Sequence, residues 1–326
     1  MSGMKSATLK KLLKNRIDDW LKTITDAKLV EAIKKDVIVS GGCIASGLLG
    51  EKINDYDYYF RTRETALATA KYYVEVFNKN KAAPLPGSVP VIPHVKEEVR
   101  LNCKGQEENR IIIYMKSAGV LSETQNNYQY FESKSDSTVE EFFGEMESAL
   151  ESKEDIEAGE ELVSIVRSSK DKYRPVFLSE NAITLSNQVQ LVVRFYGEAS
   201  KLHENYDFAH AMCWFDYNNN DLVMPHEALE SLLSKTLIYK GSLYPIASLF
   251  RIRKFISRGW RISAGQMLKI IFQVNKLDLE NPLVLREQLI GVDMAYMSQL
   301  LSVIAENKSQ RIDSIYIAKL IDEIFE

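Results

Sequence analysis

The chain has 326 residues, of which 45% are hydrophobic and 26% charged, the composition of a soluble globular protein. No apolar run approaches the ~20 residues of a membrane-spanning helix, and no signal-peptide core is present, so we expect a cytoplasmic protein without a membrane partner. The three cysteines are widely scattered, which excludes a zinc motif and argues against a disulfide framework.

Helix and strand patterns alternate through the first eighty residues. Apolar residues recur at helical spacing, then a short apolar run leads into two glycines, and an aromatic-rich stretch alternates as a strand does. In chain order, the patterns predict a helix over 8–24, a strand over 37–40, a helix over 43–50, a strand over 55–60 and a helix over 64–79.

The rest of the chain is predicted to contain a strand-rich block and then helices. Residues 83–93 are proline-rich and predict a loop, and 109–117 predict a central strand. In the strand-rich block from 174 to 225, residues 207–214 are predicted as one of the strands. From His226 onward the spacing is helical, with the last predicted helix at 313–326.

Charge is unevenly distributed along the chain, although the net charge is only −4. Residues 132–172 hold thirteen acidic and five basic residues, whereas 231–277 hold nine Lys or Arg and no acid. We therefore predict a first domain over 1–225 with an acidic insertion at 124–172, and a helical domain over 226–326 with a basic face.

Two glycines and two aspartates in residues 41–60 carry the chemical hypothesis. Asp55 and Asp57 stand at i and i+2 on a predicted strand, so both side chains point to one face. Such carboxylates repel each other unless a cation neutralises them, and Mg²⁺ prefers carboxylate and phosphate oxygens. Gly41 and Gly42 would let phosphates approach the first amides of the following helix. A glycine turn followed by surface aspartates is the simpler alternative.

These residues resemble the signature of the DNA polymerase β-like nucleotidyltransferase superfamily, especially that of CCA-adding enzymes and bacterial poly(A) polymerases. Gly41-Gly42, Leu48-Leu49-Gly50 and Asp55-Tyr56-Asp57 fall with its spacings. Where those enzymes carry Arg-Asp in the helix, this chain has Ala45-Ser46, which argues against CCA addition itself. The later sequence resembles nucleotidyltransferase-like proteins of large bacteriophages, which would place the protein in the host cytoplasm.

The resemblance implies an α/β (α+β) fold, with a polymerase β-like nucleotidyltransferase head on a mixed sheet and a helical C-terminal domain. It also implies two Mg²⁺ ions, with Mn²⁺ as an alternative, and a third carboxylate on a later strand. Asp207 is the predicted third acid, because it opens the predicted strand 207–214. Asp216 is the competitor, in a predicted hairpin that we expect to be solvated. A turn aspartate without a catalytic role is the alternative for Asp207.

Further residues are candidates for binding the triphosphate. Ser40 and Ser46 flank the glycine turn, where a hydroxyl could donate to a phosphate oxygen or act only as a cap. A basic segment interleaved with aromatic residues suits a nucleic acid or a nucleotide, although a solvated basic helix is the alternative. The basic candidates are Lys235, Lys240, Arg251 and Arg253.

The sequence therefore predicts a Mg²⁺-dependent nucleotidyltransferase that transfers a nucleoside monophosphate from a nucleoside triphosphate to an acceptor hydroxyl. The predicted acceptor is an RNA 3′ end. One alternative is a catalytically inactive nucleic-acid-binding or virion-associated protein with the same fold. Another is a protein adenylyltransferase. The choice of base and the oligomeric state stay open.

Overall fold

The computed structural model describes residues 3–80, 91–101, 107–117 and 172–279, together with residues 284 and 288. Two compact units are distinguished among them: the second contains 243–258 and the described residues from 267 onward, and the first contains the rest. Apart from Lys172, the predicted acidic insertion 124–172 lies outside the described residues, as does the predicted helix 313–326.

Eight α-helices lie in the described part of the chain, and the predicted helices there are confirmed. Two of the eight were not predicted: one spans Ala27–Asp36, and the other, Ala199–His203, lies in the block predicted to be strand-rich. The helices are α1 (Ser6–Leu21), α2 (Ala27–Asp36), α3 (Gly42–Leu49), α4 (Arg63–Asn80), α5 (Ala199–His203), α6 (His226–Ser234), α7 (Pro245–Ser257) and α8 (Ala264–Val274). No helix in these residues is both long and apolar enough to cross a membrane.

Eleven strands form three sheets in the described residues. They are β1 (Val37–Ser40), β2 (Tyr56–Phe60), β3 (Val91–Leu101), β4 (Glu107–Ser117), β5 (Pro175–Leu178), β6 (Ala182–Leu185), β7 (Val189–Tyr196), β8 (Trp214–Asp216), β9 (Asp221–Val223), β10 (Thr236–Leu237) and β11 (Arg261–Ile262). Seven of them form one sheet in the order β5-β6-β7-β2-β1-β8-β9.

The seven-stranded sheet is mixed, and its centre is β1. All four residues of β1 are buried, and the strand pairs antiparallel with β2 on one side and β8 on the other. β2 pairs in parallel with β7. These coordinates confirm the predicted α/β class with a mixed sheet.

Helix α1 packs one apolar stripe against the sheet. Leu9, Leu13 and Ile17 are buried, as the helical spacing of these residues requires. Trp20 is also buried; its indole Nε1 donates a hydrogen bond to the Tyr73 hydroxyl at 2.7 Å, and its ring meets that of Tyr58 edge-on. Helix α1 therefore covers the face of the sheet opposite the one that carries Asp57.

Three predictions of local structure were wrong. The stretch 109–117 lies in β4, which forms a separate hairpin with β3 instead of a central strand. Its isoleucines are buried, and an apolar run predicts burial without telling which sheet the strand joins. β3 begins at Val91, inside the predicted proline-rich loop, and Pro93 is tolerated because a two-stranded hairpin has only edge strands.

The third wrong prediction is the strand at 207–214. Asp207 lies in a bend, Phe208 makes one isolated bridge with Tyr239, and Ala209–Ala211 form a 3₁₀ helix. The amides of Ala211 and Met212 bond to carbonyls three residues back, so the segment satisfies its own backbone groups. Among the described residues, only Phe208 and Trp214 of this segment pair with a neighbour, Phe208 in its isolated bridge and Trp214 as the first residue of β8.

Candidate functional site

The turn between β1 and α3 brings the backbone against an aspartate. Gly41 has φ 101° and ψ −155°, a conformation that favours glycine. A Cβ atom on Gly41 would lie 3.1 Å from Asp57 Oδ2 and 3.8 Å from the Tyr206 hydroxyl. Only a glycine lets this corner approach the Asp57 carboxylate so closely.

The first turn of α3 is open to a ligand. Gly41, the N-cap residue, supplies no side-chain hydrogen bond to the helix amides. Gly42 is exposed, and no heavy atom lies within 4 Å of the position a Cβ would take there. The N–H groups at the positive end of a helix attract anions, phosphate above all.

Both acids of the Asp-x-Asp pair lie near this turn. Asp57 is half-buried in β2, and Asp55 is exposed just before that strand. The pKa of the buried Cys43 thiol, in the first turn of α3, is raised by its burial and further by the charges of Asp57 and Asp55. Both carboxylates therefore lie close enough to the first turn of α3 for their charges to act on Cys43.

Tyr206 adds an orphaned hydroxyl to the corner. Its Oη atom is buried beside the Ser40 and Tyr59 hydroxyls, yet makes no hydrogen bond of acceptable geometry with any residue that the structure describes. Burial, and less strongly the Asp57 charge, raise the pKa of Tyr206, so it stays a neutral donor. The Tyr206 hydroxyl is therefore a buried polar neighbour of Gly41 that a ligand at the corner does not reach.

The donor set fits a magnesium-bound nucleotide. Mg²⁺ is commonly held by one or two carboxylates, with substrate phosphates and waters completing its shell. Asp55 and Asp57 supply the carboxylates, and the open amides after Gly41 supply a place for phosphate. Within the residues that the structure describes, no three His, Cys, Asp or Glu side chains form a group suited to hold a metal ion.

A comparison with known protein families adds an independent finding. A family model described as Gad2, the Gabija anti-defense 2 family protein, matches residues 11–235 of the chain.

The chain belongs to this family.

The Gad2 match includes the whole glycine corner, the Asp-x-Asp pair and Asp207. No curated protein matches the sequence. Among solved structures, the chain is similar to the Thermotoga maritima CCA-adding enzyme complexed with tRNA, at 13% identity and a TM-score of 0.37. That alignment covers 89% of this chain and 53% of the enzyme chain, so it spans about half the length of the enzyme.

Gln190 is the residue of the site that sequence reasoning missed. The parallel register of β2 and β7 pairs Asp57 with Gln190, so an amide stands beside the acid on the neighbouring strand. The signal in the sequence was a polar residue within the otherwise apolar run Val189 to Val193. Tyr206 was missed as well, because the sequence gives no indication that this residue reaches the glycine corner.

Asp207 is placed close to a second cluster of side chains. Its backbone carbonyl accepts a hydrogen bond from the Lys240 amide at 2.8 Å, and its negative charge acts on buried His210. On β7, the residue in register with Asp57 is Gln190. The role of Asp207 as third carboxylate stays a prediction, although the strand on which that prediction was based does not form.

Ser40 has a structural position. Its side chain is fully buried, and its hydroxyl donates to the Cys213 carbonyl and contacts His203 Nε2, both at 3.0 Å. Since one hydroxyl has one proton, His203 must donate to Ser40 through Nε2. Ser46 lies in the second turn of α3, half-buried. Phosphate binding by either serine stays a prediction.

The basic candidates divide between the two units. Lys235 pairs with Glu51 at 3.0 Å and Lys240 with Glu227 at 2.6 Å, so a triphosphate would have to compete with an acid for each lysine. Arg251 and Arg253 lie on α7 of the second unit, where Arg251 is half-buried and Arg253 exposed. Triphosphate binding by these four residues stays a prediction.

Asp216 lies in the predicted hairpin between β8 and β9, but it is not solvated. It is 6% exposed, and the Arg61 guanidinium donates to its Oδ2 at 2.8 Å. Asn219 donates to both of its carboxylate oxygens. Asp216 is in register with Ile38, two residues along β1 from Ser40, which is the residue paired with Asp57. These contacts give the carboxylate a structural task.

We expect Asp216→Asn to lower the free energy of unfolding by about 1.5 kcal/mol, because charge-assisted hydrogen bonds are replaced by neutral ones in a buried setting. Denaturant titration measures this change. Nucleotide binding of the folded variant should equal that of wild type. A selective loss of nucleotide binding without loss of stability would instead assign Asp216 to the functional site.

Two buried histidines make the fold sensitive to acid. Burial lowers the pKa of His203 to about 4, and that of His210 also to about 4, the latter against the opposing charges of Asp207 and Glu51. Both histidines are therefore neutral in the fold and charged in the unfolded chain below the usual pKa of 6.5.

The two neutral histidines should contribute fully to the free energy of unfolding above pH 6.5, and this contribution should decrease as the pH falls toward 4. At pH 5 these two residues should take up about two protons on unfolding. Denaturant titrations across this range measure the slope, and His203→Gln should remove about one proton of it. A slope unchanged in this variant would contradict the assignment of His203.

Proposed function

We propose that the chain is a Mg²⁺-dependent nucleotidyltransferase whose site is the corner formed by Gly41, Gly42, Asp55 and Asp57. The observation that carries the proposal is the approach of Asp57 Oδ2 to Gly41, where a Cβ would lie 3.1 Å away. A carboxylate held against a glycine turn at the start of a helix suits a phosphate-bound cation.

The residues of the corner have separate tasks in this proposal. The first amides of α3 hold the terminal phosphates. Asp55 and Asp57 would hold Mg²⁺, which supplies neutralisation of phosphate charge and polarisation of the reacting phosphoryl group when bound. Because these groups are fixed before the ligand arrives, positioning and charge neutralisation supply most of the rate.

The transfer step is a substitution at the α-phosphorus. The acceptor oxygen forms a bond to the α-phosphorus, the bond from that phosphorus to the bridging oxygen breaks, and pyrophosphate leaves with that electron pair. The acceptor hydroxyl loses its proton, for which Asp207 is the predicted base and water the alternative. The products are a nucleotidylated acceptor and pyrophosphate.

The acceptor is proposed from charge and from the family. The nine basic residues and absent acids of 231–277 favour an RNA 3′ end. The family description, Gabija anti-defense, points to a phage protein that counters a bacterial defence in the host cytoplasm. In that setting, a hydroxyl of a defence protein is the competing acceptor, which would make the chain a protein adenylyltransferase.

A non-catalytic nucleotide-binding or nucleic-acid-binding protein is the second candidate, and two observations favour it. The strand position beside Asp57 holds the neutral Gln190, and the described residues contain no group of three metal-ligating side chains. Such a protein would sequester a nucleotide or a nucleic acid without releasing pyrophosphate.

One incubation separates these functions. The full chain is mixed with Mg²⁺, bulk RNA, a bacterial lysate that contains the Gabija proteins, and each α-labelled ribonucleoside triphosphate in turn. Label on RNA supports an RNA acceptor, and label on a polypeptide supports a protein acceptor. In either case Asp57→Asn should abolish the labelling. Triphosphate binding without label transfer supports the non-catalytic candidate, and absence of any Asp57-dependent binding overturns the proposal.

A further inference from the structure

The neighbour of Asp57 on the adjacent strand is fixed by register and burial together. Val189 pairs with Tyr56 and Leu191 with Tyr58, and all four of these side chains are buried on one face of the sheet. Asp57 and Gln190 pair between them and are half-buried, so they share the opposite face. Neighbouring strands lie ~4.8 Å apart, and the Gln190 side chain spans that gap easily.

The chemistry of an amide at this place differs from that of an acid. A glutamine carbonyl can ligate a cation and its NH₂ can donate to a carboxylate or phosphate, but the group carries no charge. Asp55 and Asp57 together carry two negative charges, which match one divalent cation. A bound triphosphate would offset part of the repulsion between two cations, but a second cation would also need a charged protein ligand of its own, which a third carboxylate would supply.

We infer that Gln190 limits the site to one divalent cation, brought with the nucleotide; this rests on the proposed function of the same corner. The Gln190 amide is a positioning group for Asp57 and the phosphates. A site with one cation holds a triphosphate but lacks a second ion to activate the acceptor hydroxyl. Intrinsic transfer is then slow, and an acid in place of Gln190 completes a site for two ions.

Counting bound Mn²⁺ tests this inference without relying on turnover. The full chain is titrated with Mn²⁺ in the presence of α,β-non-hydrolysable analogues of the four ribonucleoside triphosphates, and free Mn²⁺ is measured by electron paramagnetic resonance. Wild type is compared with Gln190→Glu, which keeps the size of the side chain and replaces its amide by a carboxylate. Thr184→Glu is the matched control. Thr184 lies on β6 in register with Gln190, so this variant places the same charge one strand further from Asp57.

We expect one Mn²⁺ per bound nucleotide in wild type and in Thr184→Glu, and two in Gln190→Glu. Two ions in wild type, one in Gln190→Glu, or two in Thr184→Glu would each overturn the inference while leaving the proposed function intact. If wild type binds no Mn²⁺ together with the nucleotide, or if Asp57→Asn still does so, both the inference and the proposed function are overturned. Gln190→Asp is the second variant if Gln190→Glu does not fold, and circular dichroism checks folding.

Discussion

Replacing Asp57 by Asn is expected to weaken Mg²⁺-dependent triphosphate binding and pyrophosphate release at least ~100-fold, a loss typical of removing one electrostatic group from a site. The amide is the same size and cannot balance a divalent cation. The fold should be retained, because the amide keeps the shape of this half-buried side chain. Calorimetry with a non-hydrolysable triphosphate and denaturant titration measure the two effects.

Asp221→Asn is the control for that experiment. Asp221 is an exposed acid at the start of β9, so this variant removes the same charge from the same unit away from the corner. Its binding should equal that of wild type. If Asp57→Asn and Asp221→Asn bind the triphosphate equally well, the glycine corner is not the nucleotide site.

Gly41→Ala is expected to cost roughly 2 kcal/mol of folding free energy and to abolish triphosphate binding. The φ of 101° disfavours any side chain, and the added methyl would push against Asp57 Oδ2 at 3.1 Å. Movement of that carboxylate would disturb the metal site directly. Thermal or chemical unfolding measures the first effect and calorimetry the second.

Gly42→Ala separates backbone strain from occupation of the open space. Nothing lies within 4 Å of the Cβ position at Gly42, and alanine favours helix, so stability should be equal or slightly higher. Triphosphate binding should still weaken, because the methyl enters the space in front of the first amides. A Gly42→Ala protein that binds like wild type would contradict phosphate binding at this turn.

The sequence allowed the local elements of the corner to be predicted well. Short-range patterns define β1, the glycine turn, α3 and β2, because each depends on neighbours within a few residues. The turn at Gly41 could be predicted from the sequence alone, because two glycines between a strand and an apolar helix indicate a backbone conformation that other residues adopt poorly. The mixed sheet was predicted from the resemblance of these residues to the nucleotidyltransferase signature.

The parts that could not be predicted depend on contacts between distant residues. Gln190 lies beside Asp57 only because β7 pairs with β2, and pairing between strands 130 residues apart leaves no local mark. The alternation at 207–214 predicted a strand, but Ala209–Ala211 form a 3₁₀ turn instead. Likewise Asp216 was expected in solvent, and only the fold brings Arg61 to it.

The most direct measurement is a crystal structure with a non-hydrolysable triphosphate and Mn²⁺, with the ion located by its anomalous scattering. The account predicts one anomalous peak bound by Asp55 and Asp57, with phosphate oxygens at the amides that follow Gly41. A triphosphate bound elsewhere on the chain, with no peak at these two aspartates, would contradict it.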